Sequence, residues 1–115
     1  DKWPIDSVDA ILCVNMLHIS PWEATVGLFA AAGRILPSGA PLVLYGPFTE
    51  PDVETAQSNL AFDRNLKERN PDWGLRDIAD LDGFARSSGL SRSARYPMPA
   101  NNLTLVYRRI GGASK

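Results

Sequence analysis

The stretch that decides the fold is Val8-Asp9-Ala10-Ile11-Leu12-Cys13-Val14, then Asn15-Met16-Leu17-His18-Ile19, then a segment opening Ser20-Pro21-Trp22-Glu23, and finally Pro41-Leu42-Val43-Leu44-Tyr45. The first run is short, almost continuously apolar and bounded by polar residues. Its length and β-branched content predict a strand buried on both faces, as in a parallel sheet. Ser20 reads as an N-cap, Pro21 as the first helical residue and Glu23 as the return partner of a capping box. Trp22, Val26, Phe29, Gly33 and Leu36 follow at helical spacing and define one apolar face. Pro37-Ser38-Gly39 stops the helix, and Pro41 opens a second buried strand, a position where proline is tolerated. Strand, helix and strand form a βαβ unit, whose crossover is right-handed and whose strands are parallel.

Working outward, residues 46–58 read as a long loop and residues 59–69 as a helix with a modest apolar stripe at Leu60, Phe62 and Leu66. A further helix spans residues 78–88, with Asp77 as its cap, Ile78, Leu81, Phe84 and Ala85 facing inward, and Gly89 just past its end. Residues 91–96 and 103–109 read as strands joined by Pro97-Met98-Pro99-Ala100-Asn101-Asn102. In the last one Leu103, Leu105 and Tyr107 alternate with Thr104, Val106 and Arg108, which predicts an antiparallel or edge environment. Residues 1–110 are thus expected to form one partial α/β domain, with residues 111–115 as a flexible tail.

Of the 115 residues, 44% are hydrophobic and 22% charged, and the net charge is −1. That balance suits a packed core and offers no electrostatic footprint for nucleic acid. No apolar run approaches the ~18 residues that span a bilayer, so no membrane partner is expected. One cysteine, Cys13, and one histidine, His18, leave neither a disulfide framework nor a cysteine-histidine metal cage. A reducing, cytoplasmic setting is the expectation. The chain opens at Asp1 without a methionine, so sequence upstream of it is also expected.

Ligands of open α/β sheets bind outside the carboxyl ends of the strands. That rule selects residues 14–18 after the first strand and 45–48 after the second. If the last two strands form a hairpin, its 97–102 connection joins the same rim, bringing Asn15, His18, Tyr45, Asn101 and Asn102 together. His18 reads either as a general base or as a loop histidine bonded to backbone. The asparagines read either as ligand-binding amides or as Asx turns. Tyr45 reads more readily as a core phenol with its hydroxyl partnered than as a catalytic group. Arg92, Arg95, Arg108 and Arg109 read as charged gatekeepers on edge strands in preference to an RNA-binding patch. Phosphate-loop, dinucleotide and nucleophile-elbow motifs are absent from the sequence. A hydrolase built on His18 would need Ser20, which is assigned to the cap.

The run VDAILCVNMLHIS, a helix, and then GRILPSGAPLVLYGPF resembles the later half of class I S-adenosylmethionine-dependent methyltransferases. Leu36-Pro37-Ser38-Gly39 stands where that fold has a leucine-proline-glycine-glycine-like turn, with serine replacing one glycine. More narrowly, NMLHISPWEAT, LYGPF, SNLAFD, PDWGLRD and MPANNLTLVYRR resemble the family containing methyltransferase-like protein 26. These blocks run in order from Asn15 to Arg109. The resemblance implies a Rossmann-like fold from its fourth strand onward, in sheet order 4-5-7-6. It implies three layers and a mostly parallel sheet with a final antiparallel strand. It implies S-adenosylmethionine as cofactor, with Asn15 and Met16 beside it, and a methyl acceptor that the residues do not identify. By the rim geometry His18 and Tyr45 are the candidate catalytic residues, and Phe48, Asn101 and Asn102 the candidate substrate contacts. The Gly-rich loop and the ribose-binding acid of that fold belong to strands that this sequence does not resemble. The 115-residue chain is therefore expected to be inactive alone. The alternative is an interaction module that has kept the scaffold without catalysis. The strand from Val8 to Val14 would carry an open apolar edge, and self-association through it is expected.

Overall fold

A computed structural model describes residues 9–110. Val8 and the expected tail at residues 111–115 lie outside the described residues. Six strands and three α-helices follow in the order β1 (Ile11–Val14), α1 (Trp22–Ile35), β2 (Pro41–Gly46), β3 (Phe48–Thr49), α2 (Gln57–Arg69), β4 (Arg76–Asp77), α3 (Ile78–Ser87), β5 (Leu90–Met98) and β6 (Asn102–Arg109). Two 3₁₀ turns, Leu17–Ile19 and Pro99–Asn101, stand at the ends of β1 and β5.

The main sheet has the order β1-β2-β6-β5. β1 and β2 are parallel, and β6 runs antiparallel to both of its neighbours, β2 and β5. This is the expected 4-5-7-6 arrangement, with the last strand inserted between its predecessors. The expectation of a mostly parallel sheet is corrected by the same insertion. Inserting one reversed strand between β2 and β5 makes two of the three pairings antiparallel.

β2 buries Leu42, Leu44 and Gly46, and β6 buries Leu103, Leu105 and Tyr107. These alternating residues meet Phe29 and Ala32 of α1 and Ile78, Leu81 and Ala85 of α3 in one cluster. Phe29 and Tyr107 stack edge to face with centroids 5.3 Å apart. The Tyr107 hydroxyl donates to Asp82 at 2.7 Å, which satisfies its polar end inside the core.

The opposite sheet face carries Leu12, Val14, Val43, Tyr45, Thr104 and Val106, all half-buried or exposed. Two layers therefore replace the expected three among the described residues. β1 alternates in exposure, with Leu12 69% and Val14 46% exposed, so it is not buried on both faces. α2 buries only Asn59 and Leu66 and stands outside the main cluster.

Local readings are corrected too. Pro21, with extended ψ of 161°, caps α1, and no side-chain capping bond forms. The Ser20 hydroxyl donates instead to the Met16 and Leu17 carbonyls, at 3.0 and 3.3 Å. The preceding 3₁₀ turn leaves these acceptors within reach and wins the competition for the hydroxyl. α1 buries Thr25, Phe29, Ala31, Ala32, Gly33 and Ile35, so Phe29, Gly33 and the following Leu36 face inward as read, while Trp22 and Val26 lie toward solvent. Residues 46–58 are not all loop, because β3 pairs in parallel with β4. β6 is an interior strand, so its arginines do not guard an edge. Arg108 donates to Gly39 O and Arg109 to Gly33 O, while on β5 Arg92 pairs with Asp82 and Arg95 with Glu50.

Candidate functional site

Three connections converge at the carboxyl ends of β1 and β2. Asn15 ends β1 in the left-handed region, φ 53°, a conformation that asparagine tolerates. Its N–H donates to Tyr45 O at 2.7 Å, which anchors the turn to β2. The chain then enters the Leu17–Ile19 turn that carries His18. Across the rim the β5–β6 connection places Ala100 and Asn101 at φ 62° and 61°, two consecutive left-handed residues.

These elements border an open, solvent-facing cavity of about 400 Å³ lined by Asn15, His18, Pro47, Ser58, Asn59, Phe62, Asn101 and Asn102, among others. That volume is in the range of small-molecule sites. His18 is 7% exposed, and its ring centroid is 5.5 Å from that of Phe62. Its backbone carbonyl accepts from Gly74 N–H at 3.0 Å. Among the described residues no side-chain hydrogen bond reaches the imidazole, so the reading of a backbone-bonded loop histidine is not what forms. Burial, and secondarily the charge of Arg76, hold its pKa below the ordinary histidine value. Both effects favour the neutral ring, the form that can accept a proton.

The amides are ordered by one another. Asn59 Nδ2 donates to Asn101 O at 3.2 Å, and Asn101 Nδ2 to Ser58 Oγ at 3.3 Å. Asn102 Nδ2 donates to the Tyr45 hydroxyl at 3.3 Å, so Tyr45 reaches the site through Asn102. The first turn of α2 thus braces the β5–β6 connection.

Two expected residues lie elsewhere. Phe48 is 8% exposed, packs in the core and lines a second cavity of about 220 Å³. That cavity shares Asn59, Asn101 and Asn102 with the first and is bordered by the Glu50–Arg95 ion pair. Met16 is 57% exposed and lines a groove of about 500 Å³ between β1 and α1, with Leu12, Leu28, Ser20 and Glu23. The structure thus brings together His18, Asn15, Asn101 and Asn102, with Tyr45 behind them, and separates Met16 and Phe48 from that group. Asn59, Phe62 and Arg76 were not singled out as site residues by the sequence. Asn59 and Phe62 sit three apart on one helix, which was a usable signal, whereas nothing local marked Arg76. Among the described residues no cluster of three or more metal-ligating side chains occurs.

Residues 2–109 match the family model described as "Protein of unknown function (DUF938)", and the chain belongs to that family. Its fold is that of one segment of solved methyltransferases. An O-methyltransferase family 2 protein from Planctomyces limnophilus, solved with apigenin, superposes with a TM-score of 0.81 at 19% identity, covering 93% of this chain and 32% of its own. Human N-acetylserotonin methyltransferase, solved with S-adenosylmethionine, gives 0.80 at 13% identity over 95% of this chain and 31% of its own. A methyltransferase of calicheamicin biosynthesis, solved in its SAH-bound form, gives 0.75 at 15% identity, covering 91% and 31%. The chain spans about a third of the length of the structures it matches.

The residues present fit part of such a cofactor. Asn15 offers an amide at the end of β1, and Met16 and the β1–α1 groove offer an apolar wall edged by Ser20 and Glu23. Among the described residues no glycine-rich cradle accompanies them.

Proposed function

We propose that this chain supplies the acceptor side of a class I, Rossmann-like methyltransferase acting from S-adenosylmethionine on a hydroxyl or amine. The observation that carries the reading is His18, buried and lining a rim cavity at the carboxyl ends of β1 and β2, where burial favours its uncharged form. The blocks that resemble the family containing methyltransferase-like protein 26 support it. When bound, S-adenosylmethionine supplies an electrophilic methyl group. His18 takes the proton released by the acceptor, while Asn15, Asn101 and Asn102 orient it and Tyr45 holds Asn102 in place. Such a reaction depends on alignment more than on strong acid or base chemistry, so an amide-lined cavity is adequate. Asn15 and Met16 would hold the near end of the cofactor, and Phe48 would border acceptor groups that extend into the second cavity.

Calorimetric titration of the natural polypeptide with S-adenosylmethionine tests the cofactor. Transfer of labelled methyl to a panel of phenols and amines then tests the site. His18→Gln is expected to keep cofactor binding and lower transfer by roughly 10²-fold or more. No heat and no competition by S-adenosylhomocysteine would remove the enzyme reading. The bare apolar face of β1 would then favour the alternative, a scaffold that docks another chain.

A further inference from the structure

Arg76 lines no part of the rim cavity, yet it is 5% exposed and belongs to none of the ion pairs among the described residues. A buried guanidinium without a carboxylate must spend its donors elsewhere. Arg76 Nε donates to Leu17 O at 3.2 Å, and Nη2 donates to Ser20 O and to Asp72 O. Its planar head stacks 4.3 Å from the Trp22 ring centroid. Leu17 and Ser20 bracket His18, whose own carbonyl accepts from Gly74 N–H. Three hydrogen bonds therefore run from residues 74–76 to three carbonyls of one four-residue stretch. A single 3₁₀ turn has little stability of its own, so these bonds decide where the imidazole stands.

We propose that Arg76 is the positioning residue for His18: it grips the turn from behind, through Leu17 and Ser20, and so holds the imidazole against the rim cavity. β4 exists, on this view, to deliver that grip, because its pairing with β3 fixes Arg76 opposite Phe48. The guanidinium is also the charge that bears on His18. From the other elements around the ring, α2 presents Phe62 and the β5–β6 turn presents Asn101 and Asn102, none of which ionises. Asp63 and Asp72 act on Arg76 itself. The inference rests on the proton-accepting role of His18 for its consequence, but not for its geometry.

The test is NMR of the natural polypeptide, with the His18 ring signal assigned by its loss in His18→Gln. In the unmodified protein the Gly74 amide should exchange slowly and the His18 midpoint should lie below the ordinary histidine value. Arg76→Lys keeps a charge but cannot bridge both carbonyls. It is expected to speed Gly74 exchange at least tenfold and to broaden or shift the ring signal. Arg76→Gln also removes the charge, and the His18 midpoint should rise. Arg92→Gln, which breaks a distant ion pair, should lower thermal stability and move neither signal. An unprotected Gly74 amide in the unmodified protein would overturn the proposal without any variant. So would an unchanged Gly74 rate and His18 signal in Arg76→Lys, which covers the case where Arg76→Gln does not fold. None of these readouts needs methyl transfer, so loss of the enzyme reading and loss of this one are separable. Where transfer is obtained, Arg76→Lys should lower kcat and leave the acceptor KM unchanged.

Discussion

The burial that depresses the His18 pKa also carries a stability cost. Because its folded pKa is depressed, the unfolded chain takes up a proton at a higher pH than the folded one does. Above about 6.5, the ordinary histidine value, both states are neutral and the cost is absent. As pH falls below that value the unfolded state is favoured, until the folded imidazole also titrates. Urea unfolding should therefore show stability declining as pH drops through this window, and His18→Gln should flatten the decline. Glu50 acts lower on the scale. Its hydrogen bond to Arg95 holds its carboxyl below the usual range, so it stabilises the fold above that range and loses this as pH falls through its depressed value. A break in slope between the two windows would separate them. The sequence offered His18 as a candidate because it is the lone histidine after a strand. It could not show that the ring is buried or its pKa depressed, because Phe62 and Arg76 lie 44 and 58 residues downstream.

At the scale of elements, α1 holds two glycines with opposite demands. A Cβ on Gly33 would lie 2.0 Å from the Ser88 carbonyl oxygen, a backbone atom at the end of α3. The helices approach this closely only because Gly33 lacks a side chain, and Arg109 Nε donates to its carbonyl at 2.7 Å. Gly27 is exposed, and a Cβ there would meet no atom within 4 Å. Gly33→Ala is expected to destabilise by about 1–3 kcal/mol through overpacking. Gly27→Ala is expected to stabilise by roughly 0.5–1 kcal/mol through helix propensity. Thermal melts of the two variants should move in opposite directions. Both glycines look alike in sequence, and only the packing of α1 on α3 tells them apart. What the sequence did carry was periodicity. The alternation of Leu103, Leu105 and Tyr107 and the Asp77 cap, which accepts from Ala79 N–H at 2.9 Å, emerged as read. Two-residue strands such as β3 and β4 leave no periodic trace, and the Ser20 hydroxyl had two partners in reach where the pattern suggested one.

At the scale of the whole molecule, the described residues cover the sheet on one side. Leu42, Leu44, Leu105 and Tyr107 are fully buried under α1 and α3, while Leu12, Val14 and Val43 on the other face meet no comparable layer. The apolar run that ends at Val14 suggested burial on both faces, and that reading holds only if something further packs there. β1 also pairs on one side alone among the described residues, so its outer edge offers unpaired backbone donors and acceptors beside exposed apolar side chains. Such an edge is a template for another strand. Each ladder hydrogen bond gained contributes roughly 0.5–1.5 kcal/mol net. Covering Leu12 and Val14 adds about 1.5–3 kcal/mol for each side chain fully buried. Set against a domain stability of about 5–15 kcal/mol, these gains are large enough to drive association. The 115-residue chain is therefore expected to self-associate through β1 in light scattering and sedimentation. Leu12→Lys puts a charge on the bare face without touching the core cluster, and it should shift the population toward monomer while leaving the far-UV spectrum unchanged. A chain that sediments as a monomer across a wide concentration range, with and without Leu12→Lys, would show that this face is not a docking edge.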